Sequence, residues 1–409
     1  MGQLAVNGGA KTRTNGFPGW PISDETEVQA LAEVCRSGHW GCLSGGKIAE
    51  FEKKFAEFQD AKYGVCVVNG TAALEVALKA VGVKAGDEVI VPPYTFIASA
   101  SSVLTIGAIP VFTDIDADTY NLDPSKIEAA ITDKTKAILA VHIGGGPADM
   151  DGIMAVAKKR GLKVVEDAAQ AHGAAWNGRR VGAIGDAGTF SFQSSKNLTS
   201  GEGGIVVTND DEVYSTAWSL HNCGRVPEGK WYEHRVLGWN MRMTEFQGAV
   251  LLEQMKRLEG QMKTREENAL YLDSLLSRIE GIRPLKRDPR VTTHAYHLYI
   301  FRYDSKGFKG IPRAKFIEAL NAEGIPCSAG YVPLYKEEVF YVEPGGCPIG
   351  CGFYGREMDY SKVSCPVTEN ACANESVWFG QNMLLGDRSD MDDIARAIGK
   401  IRASVGELA

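Results

Sequence analysis

Residues 149–167 read DMDGIMAVAKKRGLKVVED, a helical pattern that runs directly into an apolar strand. The first part, 149–161, predicts a helix, and LKVVED (162–167) predicts a buried strand that ends in two carboxylates. A strand that is apolar along its whole length and follows a helix is typical of a parallel sheet covered by helices on both faces. This unit therefore indicates an α/β fold.

The same alternation continues on both sides of this unit. Upstream, strands are predicted at 63–68, 87–92, 109–115 and 136–143. Helices are predicted at 71–82 and 125–131, and a further helical stretch follows the strand 87–92 and ends at about residue 106. Downstream, GTFSF (188–192) and GGIVVT (203–208) predict two strands without a helix between them. Because a parallel pair needs a long connection, this part of the sheet is expected to be mixed in direction.

The character of the chain changes after residue 282. Residues 244–282 are strongly helical, and Gly260 is expected to interrupt or end the first helix there. The later elements are a strand at 297–303 and helices at 311–324 and 388–405. We predict a large domain over residues 1–282, which includes an N-terminal arm, and a small domain over residues 283–409.

Composition and charge restrict the classes of function. The net charge of −7 argues against nucleic acid as the main partner, because phosphate binding requires a basic surface. No apolar run approaches the roughly 18 uncharged residues of a membrane span, and the N-terminal residues lack a signal-peptide pattern. The nine cysteines are scattered and odd in number, which favours a reducing compartment. We therefore predict a cytoplasmic protein that binds neither membrane nor nucleic acid.

Two cysteines, Cys347 and Cys351, lie together in the glycine-rich stretch GGCPIGCGF. Such a pair is half of a zinc site, but no second ligand pair has zinc spacing. The sequence therefore predicts thiols in a loop and no metal site.

The lysine Lys196 lies among hydroxyl groups and glycines in GTFSFQSSKNLTSGEGG (188–204), 29 residues after Asp167. A turn of this composition is typical of a close approach to a ligand rather than of a helix face. An amine there, a carboxylate at the end of a buried strand and donors for a phosphate are what pyridoxal phosphate chemistry requires. We therefore predict that Lys196 is the amine that carries this cofactor.

Three other segments supply groups for the same cofactor. NGTAAL (69–74) places Gly70 and Thr71 at a helix start, which binds anions, although ordinary capping by Thr71 explains the pattern equally well. Asp167 lies at the end of its strand, where ligands bind in α/β sheets. The alternative is that Asp167 only caps the next turn, and the neighbouring Glu166 would then be equivalent to it. Phe96 is able to stack on the cofactor ring, and a core aromatic is the alternative.

Several motifs together resemble one family. The stretches EDAAQAHGA, SFQSSKNLTSGEGG and LGWNMRMTEFQGAVLLEQM (237–255) are similar to the DegT/DnrJ/EryC1/StrS aminotransferases, and the resemblance covers nearly the whole chain. It implies the aspartate-aminotransferase-like fold of pyridoxal-phosphate-dependent transferases. In that fold a large domain with a mainly parallel seven-stranded sheet is followed by a small C-terminal α+β domain.

The resemblance implies a role for each matching position. Lys196 is the Schiff-base lysine and Asp167 the partner of the pyridine nitrogen, and these two are the implied catalytic residues. The implied cofactor contacts are Gly70, Thr71, Ala72, Phe96, Asp167, Gln170, Ser191, Lys196 and Asn240. The implied substrate contacts are His39, Trp40, Arg242, His297 and Tyr331. Asn240 matches a residue that reaches the cofactor phosphate of the neighbouring subunit, which implies a homodimer with shared active sites.

The implied activity is amino transfer from L-glutamate or L-glutamine to a keto-sugar or keto-cyclitol. The lysine motif and the stretch 375–401 resemble the branch of inosose aminotransferases and 3-amino-5-hydroxybenzoate synthases. Three alternatives stand beside this activity. A sugar 3-dehydratase is disfavoured because such enzymes replace the lysine with histidine. An aminohydroxybenzoate-synthase-like dehydratase and aromatase keeps the lysine, and the last alternative is a pyridoxal-phosphate-binding regulatory protein.

Overall fold

The computed structural model describes residues 3–230, 232–341, 347, 349–350 and 354–408. The strands are β1 (Tyr63–Val67), β2 (Glu88–Val91), β3 (Ile109–Phe112), β4 (Thr135–Val141), β5 (Lys163–Asp167), β6 (Ala175–Trp176), β7 (Arg179–Arg180), β8 (Ala187–Ser191), β9 (Gly204–Thr208), β10 (Ile282–Pro284), β11 (Val291–Thr293), β12 (Leu298–Tyr303) and β13 (Ser376–Gly380). The α-helices are α1 (Glu25–Ser37), α2 (Lys47–Phe58), α3 (Gly70–Ala80), α4 (Ala98–Thr105), α5 (Pro124–Ala130), α6 (Met150–Arg160), α7 (Asp211–His221), α8 (Glu245–Leu276), α9 (Arg313–Ala322), α10 (Pro366–Asn370) and α11 (Arg388–Ala403).

The central sheet has seven strands in the order β1-β9-β8-β5-β4-β2-β3. The neighbours from β8 to β3 pair in parallel, whereas β9 runs antiparallel to both β8 and β1. The predicted α/β class and the predicted mixture of directions near β8 and β9 are therefore confirmed. The carboxyl ends of β4, β5 and β8 lie side by side, which is where such sheets bind ligands.

Each face of the central sheet is covered by its own hydrophobic cluster. In β4, Ala137, Leu139 and Val141 contribute to one cluster, whereas Ile138 and Ala140 contribute to the other. This alternation follows from the period of two along a strand. The strands read as continuous apolar runs because both faces are buried.

Helix α8 runs without a break from Glu245 to Leu276, so the expected interruption at Gly260 is wrong. A glycine inside a helix costs only about 1 kcal/mol relative to alanine. The segments on both sides of Gly260 are held by packing, with Leu258 in a cluster of the central sheet and Leu272 in a third cluster. Burial along the long helix therefore outweighs the weak preference of one residue.

A second sheet, β10-β12-β13, is antiparallel and is covered by α9, α11 and the end of α8. The domain boundary at 282/283 stays a prediction. Residues from both sides share clusters: Leu272 of α8 packs with the second sheet, and Leu334, Phe340 and Tyr360 pack with the central sheet. A short third sheet, β11-β6-β7, also joins the two parts.

In the part of the chain that the structure describes, no helix has the length and hydropathy needed to cross a membrane. Nor do three histidine, cysteine, aspartate or glutamate side chains of these residues gather as they would around a metal ion. Cys351 of the glycine-rich loop lies outside the described residues.

Candidate active site

A cavity of about 770 Å³ opens at the carboxyl ends of β4, β5 and β8. Its size falls within the range of small-molecule sites, roughly 300–1,000 Å³. Most of the predicted site residues line it, namely Gly70, Thr71, Phe96, Asp167, Gln170, Ser191, Lys196, His297 and Tyr331. Segments far apart in sequence thus converge on one site.

The adjacent carboxylates Glu166 and Asp167 point to opposite faces of β5. Asp167 lines the cavity, where it accepts hydrogen bonds from Ser99 Oγ at 2.7 Å and from the Ala169 N–H at 3.2 Å. Glu166 is fully buried on the other face and accepts from His142 Nε2 at 3.0 Å and from three backbone N–H groups of residues 182–185. The two carboxylates are therefore not equivalent.

Lys196 is held in a tight turn that follows β8. The Lys196 N–H donates to the Gln193 carbonyl at 2.9 Å, and Thr199 Oγ1 donates to the Phe192 carbonyl at 2.8 Å. Gly201 closes the turn with a φ of 85°, which favours glycine. Burial lowers the pKa of Lys196 to about 8, and the charge of Asp167 opposes this effect. A substantial fraction of the amine is therefore neutral near pH 8 and able to act as a nucleophile.

The start of α3 forms an anion pocket against the end of β8. A Cβ on Gly70 would lie 2.7 Å from the Cβ of Ser191, so only glycine allows this approach. The Asn69 side chain accepts from the Ala72 N–H at 2.8 Å and caps the helix. Among the described residues, the N–H groups of Gly70 and Thr71 find no acceptor. These free donors at a helix N-terminus suit a phosphate.

The Gln170 amide has a fixed orientation. Its Oε1 accepts from the Gly144 N–H at 2.7 Å, so its Nε2 donates, here to Tyr331 Oη at 2.9 Å. Both Gln170 and Tyr331 line the cavity. Gln170 thus offers a donor beside the carboxylate of Asp167.

Two histidines near Lys196 are structural supports as well as neighbours of the cavity. His172 is fully buried, and its Nε2 hydrogen-bonds the Ser191 carbonyl at 2.9 Å. His297 lines the cavity, and its Nδ1 hydrogen-bonds Asn197 Oδ1 at 3.2 Å. Burial, followed by the charge of Lys196, lowers the pKa of His172 to about 3 and holds the pKa of His297 well below its usual range. Both rings are therefore neutral at physiological pH.

The remaining predicted site residues do not line the cavity of their own chain; they are His39, Trp40, Ala72, Asn240 and Arg242. Ala72 is buried in α3, and its N–H donates to the Asn69 side chain that caps the helix. Arg242 donates to Asn222 Oδ1 at 2.9 Å, and Asn240 is exposed beside it.

Sequence reasoning missed several side chains of the cavity, among them Trp20, Asn69, Thr95, Trp378, Gln381 and Asn382. Trp20 belongs to the N-terminal arm, which reaches the site because Trp20 Nε1 donates to the Ser194 carbonyl at 3.0 Å. Asn382 Nδ2 holds the same arm through the Pro18 carbonyl at 2.7 Å. Asn69 carried a usable signal, since asparagine before a helix start is a strong cap. No local sequence pattern places the N-terminal arm at the cavity, because its contacts are with residues far along the chain.

The groups around the cavity fit pyridoxal phosphate. Lys196 is an amine of lowered pKa, Asp167 is a buried carboxylate for the ring nitrogen, and Gln170 offers an N–H donor. Gly70 and Thr71 supply the donors that a phosphate needs. The cavity thus has a matching group for each polar end of that cofactor.

Comparison with known proteins points to the same chemistry. Residues 21–374 match the DegT/DnrJ/EryC1/StrS aminotransferase family. An L-glutamine:2-deoxy-scyllo-inosose aminotransferase of Streptoalloteichus tenebrarius is 40% identical over 421 residues, covering 99% of each chain. A 3-amino-5-hydroxybenzoate synthase of Amycolatopsis mediterranei is 37% identical over 93% of this chain and 96% of its own. A crystal structure of 3-amino-5-hydroxybenzoic acid synthase gives a TM-score of 0.87 at 35% identity, over 96% of this chain and 100% of that one.

Proposed function

The chain belongs to the DegT/DnrJ/EryC1/StrS aminotransferase family, and from that premise we propose that it transfers the amino group of L-glutamine, or of L-glutamate, to the keto group of a cyclitol. The resemblance inferred from the motifs and the fold class that it implied are confirmed. The protein is a pyridoxal-phosphate-dependent enzyme. The observation that carries the proposal is the convergence of Lys196, Asp167 and the anion pocket on one cavity.

Pyridoxal phosphate supplies, when bound, an electron-withdrawing ring that stabilises negative charge developing on the carbon atom attached to the transferred nitrogen. Lys196 Nζ holds the cofactor in the resting enzyme. When free, the same amine would serve as the base and acid that moves a proton at the donor's α-carbon. A pKa of about 8 suits both steps, because the amine gains and loses a proton readily near neutral pH.

Asp167 would keep the ring nitrogen protonated, and its own position is fixed by Ser99 and the Ala169 N–H. Gln170 Nε2 would donate to the phenolic oxygen, because its Oε1 is occupied by the Gly144 N–H. Gly70, Thr71 and Ser191 hold the phosphate at the start of α3. These assignments are supported by where each group lies around the cavity.

The active site is shared between two subunits of a homodimer. Asn240 is exposed beside Arg242 and outside the cavity of its own chain. Large apolar side chains are exposed as well: Leu237 is 93% exposed, Trp40 53%, and Phe96, in the cavity wall, 57%. Surfaces of this kind favour burial against another chain. The partner subunit's Asn240 then completes the phosphate pocket.

Mixing two inactive variants tests the shared site. A Lys196→Ala subunit and an Asn240→Ala subunit each lack one part of every site in their own homodimers. In a hybrid dimer, one site combines both intact residues, so an equal mixture should recover about a quarter of the wild-type activity. Recovery of nothing, with hybrids verified by native mass spectrometry, contradicts sharing. A fully active monomer would contradict it as well.

A second candidate function is an aminohydroxybenzoate-synthase-like dehydration and aromatisation. The similarity to 3-amino-5-hydroxybenzoate synthases, in sequence and in structure, favours it. It uses the same lysine, so the residues around the cofactor fit both reactions. The two differ in substrate: one takes a keto-cyclitol, the other an aminoshikimate-type ring.

The experiment that distinguishes them is a substrate panel analysed by mass spectrometry. Purified enzyme with pyridoxal phosphate receives L-glutamine or L-glutamate together with scyllo-inosose-type ketones, and separately receives aminoshikimate-type substrates. The proposal expects a product in which one keto oxygen is replaced by an amine, and Lys196→Ala should abolish it. Loss of water from the aminoshikimate-type substrate, without amination of any ketone, would favour the second function instead.

A further inference from the structure

Helix α8 carries a cation that is buried next to the cavity. Arg265 is fully buried, and among the described residues no carboxylate forms a salt bridge with it. Its guanidinium lies over the ring of Trp20, with 5.3 Å between Cζ and the ring centroid. Its Nη1 has no hydrogen-bond partner within the described chain. A buried charge without a counter-charge is costly, so such a residue has a role other than stability.

The polar contact of Arg265 is with a residue of the cavity wall. Arg265 Nε and Nη2 both donate to Gln381 Oε1, at 2.9 and 2.5 Å. These two donors fix the orientation of the Gln381 amide, because the flipped amide would place its NH₂ group, itself a donor, against the two N–H donors of Arg265. Gln381 lines the cavity, and its Nε2 makes no hydrogen bond within the described chain and is not sealed from solvent. The amide therefore presents two N–H donors to the cavity.

The charge of Arg265 makes this wall electropositive. Burial lowers the pKa of Arg265 to about 9, which leaves the guanidinium charged at neutral pH. After burial and the charge of Lys196, Arg265 is among the causes that lower the pKa values of His172 and His297. Its field thus extends across the lysine side of the cavity. The buried carboxylate of the cavity, Asp167, is engaged by Ser99.

We propose that Gln381 Nε2, oriented by the buried Arg265, binds the α-carboxylate of the amino donor. This inference rests on the proposed aminotransferase function. A cyclitol ketone is uncharged and gains little from a positive wall, whereas a carboxylate gains from both the donor and the charge. Gln381 touches the substrate, and Arg265 is a positioning residue that acts through it. The stretch 375–401, which supported the resemblance, thereby contributes a donor-binding group.

The test measures the two half-reactions separately, with the cofactor's absorbance as the signal. The donor half-reaction uses L-glutamine and its α-carboxamide, which lacks the negative charge. Wild-type enzyme should prefer L-glutamine. Gln381→Leu and Arg265→Met should each reduce this preference by about 10- to 100-fold. Gln381→Glu, whose carboxylate pairs with Arg265 and repels the donor, should reduce it further. Arg265→Lys should recover part of it.

The acceptor half-reaction is the internal control, and its dependence on ketone concentration should change less than about threefold in every variant. A matched control for damage to α8 is Asn268→Leu, because Asn268 is buried three residues along and hydrogen-bonds Leu384 and Gly386 without contacting Gln381. It should lower thermal stability and leave the preference for the charged donor intact. If Arg265→Met does not fold, the two Gln381 variants decide.

The outcomes distinguish a failure of the proposed aminotransferase function from a failure of the inference about Gln381 and Arg265. If wild-type enzyme gives no donor half-reaction with L-glutamine or L-glutamate, the proposed function fails. If wild-type enzyme reacts and the variants keep full discrimination between L-glutamine and its α-carboxamide, the inference alone is overturned. An equal loss in both half-reactions also overturns it, because Gln381 would then act on the cofactor or on the fold.

Discussion

Replacing each of the two neighbouring carboxylates, Glu166 and Asp167, with its amide should produce opposite effects. Glu166 accepts four hydrogen bonds in a fully buried place: His142 Nε2 at 3.0 Å, and the N–H groups of Gly182, Ile184 and Gly185 at 2.7, 2.8 and 2.7 Å. His142 Nδ1 accepts from the Ala148 N–H at 3.0 Å, so the neutral ring carries its proton on Nε2 and can only donate to Glu166. Every group that faces this carboxylate is therefore a donor.

In Glu166→Gln, the new NH₂ group must face two donors whichever way the amide turns. Two hydrogen bonds are lost, and leaving buried donors unpaired costs about 1–3 kcal/mol each. We expect a loss of roughly 3–5 kcal/mol in the free energy of unfolding, which is a large part of the 5–15 kcal/mol of a typical domain. The melting temperature should fall by roughly 3–6 °C.

Asp167→Asn should leave the fold nearly unchanged. The amide oxygen keeps the Ala169 N–H, and the NH₂ group can donate to Ser99 Oγ, which then turns its hydroxyl towards Thr95 Oγ1 at 2.9 Å. Stability should change by about 1 kcal/mol or less. The charge opposite the ring nitrogen is lost, so we expect turnover to fall by roughly 10²- to 10³-fold.

Differential scanning calorimetry and transaminase assays on both variants measure the contrast. The pH dependence gives a further check, because the hydrogen bonds from His142 and the backbone outweigh burial and hold the pKa of Glu166 below its usual value. Its stabilising contribution is present above about pH 4.3, the value for an unfolded chain, and is lost as the pH falls towards the folded pKa. The wild-type advantage over Glu166→Gln should therefore shrink in acid. A stable Glu166→Gln protein, or an unstable Asp167→Asn protein, would refute the assignment of opposite faces.

Two further predictions concern the cofactor pocket. Gly70→Ala should weaken pyridoxal phosphate binding, measured by fluorescence titration, by about tenfold or more, because the new Cβ would lie 2.7 Å from that of Ser191. The matched control is Gly260→Ala, which should bind the cofactor normally because nothing lies within 4 Å of the new Cβ. The rate at which apoenzyme takes up pyridoxal phosphate should rise with pH and level off above about 8, because the neutral Lys196 amine reacts; a rate that still climbs steeply at pH 10 would mean that Lys196 titrates like an exposed lysine.

The fold could be predicted from the sequence where local pattern and burial agree. Fully apolar strands such as 162–167 required a sheet covered on both faces, and the ten-residue step from GTFSF to GGIVVT required a change of direction. Gly260 misled because a local preference of about 1 kcal/mol is small beside the burial of a helix anchored at both ends. Strand boundaries shifted by a few residues, since pairing ends before the apolar pattern does.

Only part of the candidate site could be predicted from the sequence, because some of its residues lie in local motifs and others reach the cavity through long-range contacts. Lys196 occupies a local context typical of a close approach to a ligand, and the motifs of Asp167 and Gly70, which capping alone would also explain, gained their meaning from it. Trp20 and Gln381 reach the cavity through long-range contacts, with Ser194 and with Arg265, and no local pattern encodes these. Whether Glu166 or Asp167 faces the cavity depended on the register of β5, which the structure supplied. Asn240 and Arg242 lie outside the cavity of their own chain, so their part in the site stays a prediction.

The most direct test of the central claim is to reduce the enzyme loaded with pyridoxal phosphate with borohydride and to locate the modified residue by peptide mass spectrometry. We predict that the cofactor's mass is found on Lys196 alone, and that Lys196→Ala binds the cofactor without fixing it and loses transamination. Attachment to another lysine, or full transamination by Lys196→Ala, would contradict the claim that Lys196 is the reactive amine.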